Sequence, residues 1–149
     1  VDLYTSKVSQ QYVSYIRPQD NGYKTETRWL ALSNQQNKGL LFISGPENYF
    51  SFSALHMENE DFDTTPRWDY KNSNKSKHNI DIKEKDLVQL NIDLGQRGLA
   101  GDDSWWSKPQ EKYQFKGSKK YSYSFYMIPF ENKTETDFIK LSKQYQSQD

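Results

Sequence analysis

The chain reads as an all-β protein, an antiparallel sandwich followed by a short C-terminal helix. Three observations predict this. Short runs rich in aromatic and β-branched residues recur along the 149 residues. Clusters of Gly, Asn and Pro separate them. No strand pattern alternates with a helical one. The length fits one domain. Hydrophobic residues make up only 34% and mean hydropathy is -1.06, low for a self-contained core. The aromatic share of 15% compensates in part, because rings bury large areas. Either the core is small and aromatic, or the chain belongs to a larger fold that completes it.

The elements follow in order. Gln10-Gln-Tyr-Val-Ser-Tyr-Ile16 predicts a strand, and Asn21-Gly22 closes the turn after it. Tyr23 to Leu32 predicts a second strand, whose period of two blurs at Leu30-Ala31-Leu32. The polar turn Ser33 to Gly39 and the apolar run Leu40-Leu-Phe-Ile43 complete a hairpin over 23–44. Tyr49 to Ala54 is a further strand, and Glu58 to Thr65 holds a helical turn before Pro66. A polar connection fills 70–79. Ile80 to Ile82 and Leu87 to Asp93 predict a hairpin; Tyr113 to Phe115 and Tyr121 to Ile128 predict two more strands. Thr134-Glu-Thr-Asp137 resembles a capping box, and Phe138, Leu141 and Tyr145 share one helical face. The expected division is a sandwich over 1–131 and a helical tail over 132–149.

Composition excludes several functions. The 20 basic and 20 acidic residues cancel, which argues against a nucleic-acid footprint. The densest basic cluster, Lys116-Gly-Ser-Lys-Lys120, reads as a solvated turn. With no cysteine, disulfides, thiolate nucleophiles and cysteine metal sites are excluded. No apolar run approaches the length of a membrane span. His56 and His78 fit no metal-ligand spacing, so no metal site and no cofactor are expected in this chain.

The candidate site is the stretch Gly95-Gln-Arg-Gly-Leu-Ala-Gly-Asp-Asp-Ser-Trp-Trp106, which follows a strand. Glycoside hydrolysis needs two carboxyl groups across the scissile bond. Asp102 and Asp103 are adjacent, and adjacent side chains diverge. They read as turn-makers, with Gly98 and Gly101 shaping the loop. The glycine spacing is not the dinucleotide fingerprint, and Ser104 has no nucleophile-elbow context. Trp29 and Trp68 read as core or interface residues. Trp105 and Trp106 follow a polar loop and offer flat apolar surface, suited to stacking on a sugar.

Gly98-Leu-Ala-Gly-Asp-Asp-Ser-Trp105 resembles a C-terminal motif of the large β-galactosidases of glycoside hydrolase family two. Leu3-Tyr-Thr5, Tyr12-Val13, Arg17-Pro-Gln-Asp-Asn-Gly22, Thr27-Arg-Trp-Leu30, Phe50-Ser-Phe-Ser53, His78 and Asn91-Ile-Asp93 resemble that family in the same order. The resemblance spans roughly residues 3–130. It implies the C-terminal half of an antiparallel β-supersandwich like that of galactose mutarotase, beginning just after a Gly-Pro-x-Glu-Asn-Tyr stretch. The implied activity is retaining hydrolysis of terminal β-galactosides such as lactose. The catalytic glutamates would lie on a separate (β/α)8 barrel. The implied partners are the galactoside, that barrel and the missing N-terminal half of the sandwich. Mg²⁺ and Na⁺ are implied for the whole enzyme, with no ligand placed here. One substrate-contacting residue carries over, Trp105. Trp106 stands where a small residue is usual and is the alternative ring; Ala100 stands where glycine is frequent. Two other readings stay open: a free-standing carbohydrate-binding module, and a mutarotase-like epimerase using His56 with a carboxylate partner.

Overall fold

A computed structural model describes residues 2–15, 21–62, 79–98 and 107–147. Its strands are β1 (Lys24–Thr27), β2 (Trp29–Ser33), β3 (Lys38–Ser44), β4 (Phe50–Leu55), β5 (Gln89–Asp93) and β6 (Phe125–Glu131). Two α-helices join them, α1 (Asn59–Phe62) and α2 (Glu135–Gln146). Strand order is β1-β4-β5 in one sheet and β2-β3-β6 in the other. The class is therefore all-β with a C-terminal helix, as the sequence predicts. The polar connection through 70–78, with Trp68 and His78, lies outside the described residues.

The chain divides into two compact units. The first holds 1–24 and 52–92, the second 25–51 and 93–149, so the divisions fall within β1, β4 and β5. In the first unit Leu55, Met57 and Phe62 form a buried cluster, with Tyr12 and Ile82 packed on it. Asn21 is fully buried there. Its amide accepts from the Val13 N–H at 2.8 Å and donates to the carbonyls of Val13 and Tyr15 at 2.7 and 2.9 Å. One side chain thus takes the place of a neighbouring strand, and 11–15 form no ladder. Over the described residues 10–15, the expected strand is replaced by the end of a 3₁₀ turn, Val8–Gln10, and an irregular segment.

The second unit is built around β3. Antiparallel pairing sets Trp29 against Ile43, Ala31 against Leu41, Leu41 against Ile128 and Ile43 against Tyr126. These residues share one face. Helix α2 covers it: Phe138 is buried with Leu41, Ile43 and Phe130, and Leu141 and Tyr145 pack beside it. The Phe138 ring meets Phe130 edge-on at 4.7 Å and Trp29 at 5.5 Å. The apolar run of β3 lacks alternation because its other residues, Leu40 and Phe42, belong to a second apolar face.

The expected strand 23–32 is split. Glu26 has a φ of 51° within β1, the strand is interrupted at Arg28, and β1 and β2 join different sheets. Ser44 secures the break: its Oγ donates to the Thr27 carbonyl and its N–H to the Arg28 carbonyl. Ile80 is part of a 3₁₀ turn, Asn79–Asp81, so β5 has no hairpin partner there. Tyr113 ends another 3₁₀ turn, Glu111–Tyr113, and the strand expected from Tyr121 begins at Phe125.

The capping box forms. The Thr134 N–H donates to Asp137 Oδ2 at 2.8 Å, and the Asp137 N–H donates to Thr134 Oγ1 at 3.4 Å. The bond from the Thr134 backbone, then that from its side chain, lowers the Asp137 pKa below its ordinary 3.8. A carboxyl with a depressed folded value stabilises the fold above its unfolded pKa. That contribution disappears as pH falls through the folded value. Asp137→Asn should therefore lower stability at neutral pH and flatten its dependence on pH below about 4. Urea midpoints at neutral and acid pH check this.

Candidate functional site

The loop 95–106 leaves the end of β5, and the structure describes its first stem. Gly101, Asp102, Asp103, Ser104, Trp105 and Trp106 lie outside the described residues. Gly98 lies inside them. Its N–H donates to the Tyr113 carbonyl at 2.8 Å. A Cβ on Gly98 would sit 2.6 Å from Tyr113 Cβ and 3.4 Å from Pro109 Cβ. The returning stem is therefore pressed directly on the outgoing one.

The returning stem is built from residues that the sequence does not single out. Pro109 is buried within the polar run Ser107-Lys-Pro-Gln-Glu-Lys112. Its carbonyl accepts from the Gln114 amide. The 3₁₀ turn Glu111–Tyr113 follows, with the Tyr113 N–H on the Gln110 carbonyl at 2.9 Å. Proline in a polar run was the only available signal, and nothing in residue type marks Tyr113 as a backbone acceptor.

Beside the stems lies an open recess of about 500 Å³, lined among others by Gln96, Tyr113, Phe115, Lys116 and Tyr121. The Phe115 and Tyr121 rings are 5.0 Å apart and inclined at 59°, so they form a notch rather than a flat platform. Tyr121 Oη accepts from the Lys116 N–H at 2.7 Å. Lys112 Nζ stands 4.6 Å from the Tyr113 ring centre, over its face. Among the described residues, the one carboxylate lining the recess, Glu111, is paired with Lys116.

Other chemistry-bearing groups lie in the first unit. His56 Nδ1 is 2.6 Å from the Leu87 carbonyl, so Nδ1 carries the proton and donates. That ring contact is to the main chain, not to the carboxylate an epimerase pair requires. Glu58 and Asp61 both hold Lys85 Nζ, Asp61 at 2.7 Å. The hydrogen bonds that Lys85 donates to Asp61 and then to Glu58 raise its pKa. Asn91, from the Asn-Ile-Asp motif, donates to Ser53 Oγ at 3.0 Å and exchanges amide bonds with Asn59 at 3.1 and 3.2 Å. Its role is to tie β4, β5 and α1 together. Among the described residues no group of three or more His, Cys, Asp or Glu could hold a metal ion. Among them too, no helix is long and apolar enough to cross a membrane.

A family model described as "Beta galactosidase small chain" matches residues 1–127. A β-galactosidase of Priestia megaterium is 28% identical over 130 residues, covering 85% of this chain and 11% of the relative. One from Streptococcus thermophilus is 25% identical over 126 residues, with 85% and 11% covered. One from Vibrio cholerae is 30% identical over 105 residues, with 70% and 8% covered. The chain thus spans about a tenth of the length of these relatives. No solved structure matches.

Proposed function

The chain belongs to the β-galactosidase small-chain family, and from that membership we propose that it forms one wall of the active site of a retaining β-galactosidase. The substrate class is terminal β-galactosides such as lactose. The acid/base and nucleophilic carboxylates lie on a separate barrel of the same enzyme. The observation that carries this reading is the family match over residues 1–127, made by a chain that covers 11% of a relative's length.

Two features of the chemistry support it. Retention needs two carboxyl groups about 5–5.5 Å apart, with the bond to be cleaved between them. Of the acids described above, Glu58 and Asp61 are committed to Lys85, and Glu111 to Lys116. The contribution to the site is then binding. Trp105 is the ring that stacks on the sugar, with Trp106 beside it in the chain. Covering about 100 Å² of apolar sugar surface would contribute about 2–3 kcal/mol. A tryptophan supplies affinity and placement, but neither proton nor nucleophile.

The second sheet supports a place in a larger fold. Its face opposite α2 carries Leu30, Leu32, Leu40, Phe42, Phe125 and Met127. Phe42 is covered, with the Phe125 ring 6.3 Å away. Leu40, Phe125 and Met127 remain 39%, 40% and 61% exposed. A contiguous apolar face of this kind marks an interface. Its occupant, in this reading, is the preceding half of the supersandwich. A free-standing carbohydrate-binding module would present polar surface there.

Two outcomes follow. The purified chain should give no turnover of a chromogenic galactoside; measurable turnover would show that it holds its own carboxylate pair. In the whole enzyme, Trp105→Ala should raise KM by about thirty- to a hundred-and-fiftyfold, given the stacking energy above. Trp106→Ala should raise it less, and equal or reversed effects would reassign the stacking ring.

A further inference from the structure

The open recess of about 500 Å³ has a chemistry that the proposed galactoside site does not use, and its lining residues all lie in the second unit. Among the described residues, three lysines and one carboxylate line it, and that carboxylate, Glu111, is paired with Lys116. Two positive charges are left, on Lys112 and Lys119. Neither has a carboxylate partner among the described residues. We propose that the recess is a binding site for an acidic saccharide, a pyranose that carries a carboxylate. The saccharide class rests on the function proposed above.

Both charges are held in place. Lys112 Nζ stands 4.6 Å from the centre of the Tyr113 ring, and Lys119 Nζ 5.5 Å from that of Tyr121. Attraction to the ring faces confines two long side chains, whose freedom would otherwise be lost on binding an anion. Turns tie the main chain beneath them. The Lys119 N–H donates to the Lys116 carbonyl at 3.0 Å, and the Tyr113 N–H to the Gln110 carbonyl at 2.9 Å. Tyr121 Oη accepts from the Lys116 N–H, and among the described residues its own proton has no acceptor. The wall is thus rich in donors and positive charge. It suits a ligand made of acceptors with a negative group.

The rings set the rest of the ligand. Tyr113, Phe115 and Tyr121 all keep exposed surface. Phe115 and Tyr121 meet at 59° with their centres 5.0 Å apart. Such a notch takes the C–H face of a pyranose on one ring and its edge on the other. The volume falls within the range of small-molecule sites, about 300–1,000 Å³. A wholly apolar ligand would strip water from two ammonium groups and give nothing back. A nucleic-acid strand needs a longer basic track than two charges.

The test is titration of the whole β-galactosidase with digalacturonate, its active site filled by a neutral galactoside inhibitor. Calorimetry and saturation-transfer NMR read the binding. Digalacturonate should bind, and the neutral digalactose of the same linkage about tenfold more weakly. Lys112→Gln together with Lys119→Gln should weaken digalacturonate about tenfold and leave digalactose within about twofold. Phe115→Leu keeps apolar bulk and loses the ring; it should weaken both about threefold. Lys83→Gln, at an exposed lysine of the other unit, should change neither. Unchanged digalacturonate affinity in the double lysine variant would overturn the proposal. So would acetate or a short glutamate peptide binding as tightly as digalacturonate, since the recess would then be a plain anion or peptide surface. An active enzyme that binds no digalacturonate overturns the recess site alone. An enzyme without galactosidase turnover overturns the functional reading, and the saccharide class with it.

Discussion

The β2-β3-β6 sheet is apolar on both faces, and α2 covers one of them. Much else follows from that constraint. Leu41 and Ile43 are fully buried because Phe138, Leu141 and Tyr145 lie over them. Across the strand, Leu40 and Met127 have no such cover and stay exposed at 39% and 61%.

The same division runs through the chemistry. Glu58 and Asp61 are held by Lys85, Glu111 by Lys116, and the His56 ring by a main-chain carbonyl. What the chain builds with care is the base of a loop. Gly98, Pro109, Tyr113 and Gln114 tie its two ends together with one main-chain bond, one close approach and one amide.

Local features were legible in the sequence. The capping box at Thr134 and the face of Phe138, Leu141 and Tyr145 depend on residues within one or two turns, and both form. The β2–β3 hairpin depends on a short polar turn, in which Asn34 Oδ1 accepts from Gln36 and Lys38. Two of the departures were decided by partners outside the segment concerned. Asn21 takes the hydrogen bonds that would have made 11–15 a strand. Ser44 holds the break that divides 24–33 between two sheets. In the stem of the loop, Gly98 is marked by residue type, and the structure shows what it meets. The Tyr113 carbonyl was invisible, because a backbone acceptor carries no signature in its side chain.

Methionine oxidation tests the central claim, that a second apolar face is completed by the rest of the enzyme. The chain has two methionines, Met127 at 61% exposure and Met57 at 3%. Sulfoxide formation follows exposure. With limiting peroxide and mass-spectrometric mapping, Met127 should oxidise much faster than Met57 in the isolated chain. In the whole β-galactosidase, Met127 should slow to the rate of Met57. Equally fast oxidation of Met127 in both forms would leave that face open to solvent and contradict the account.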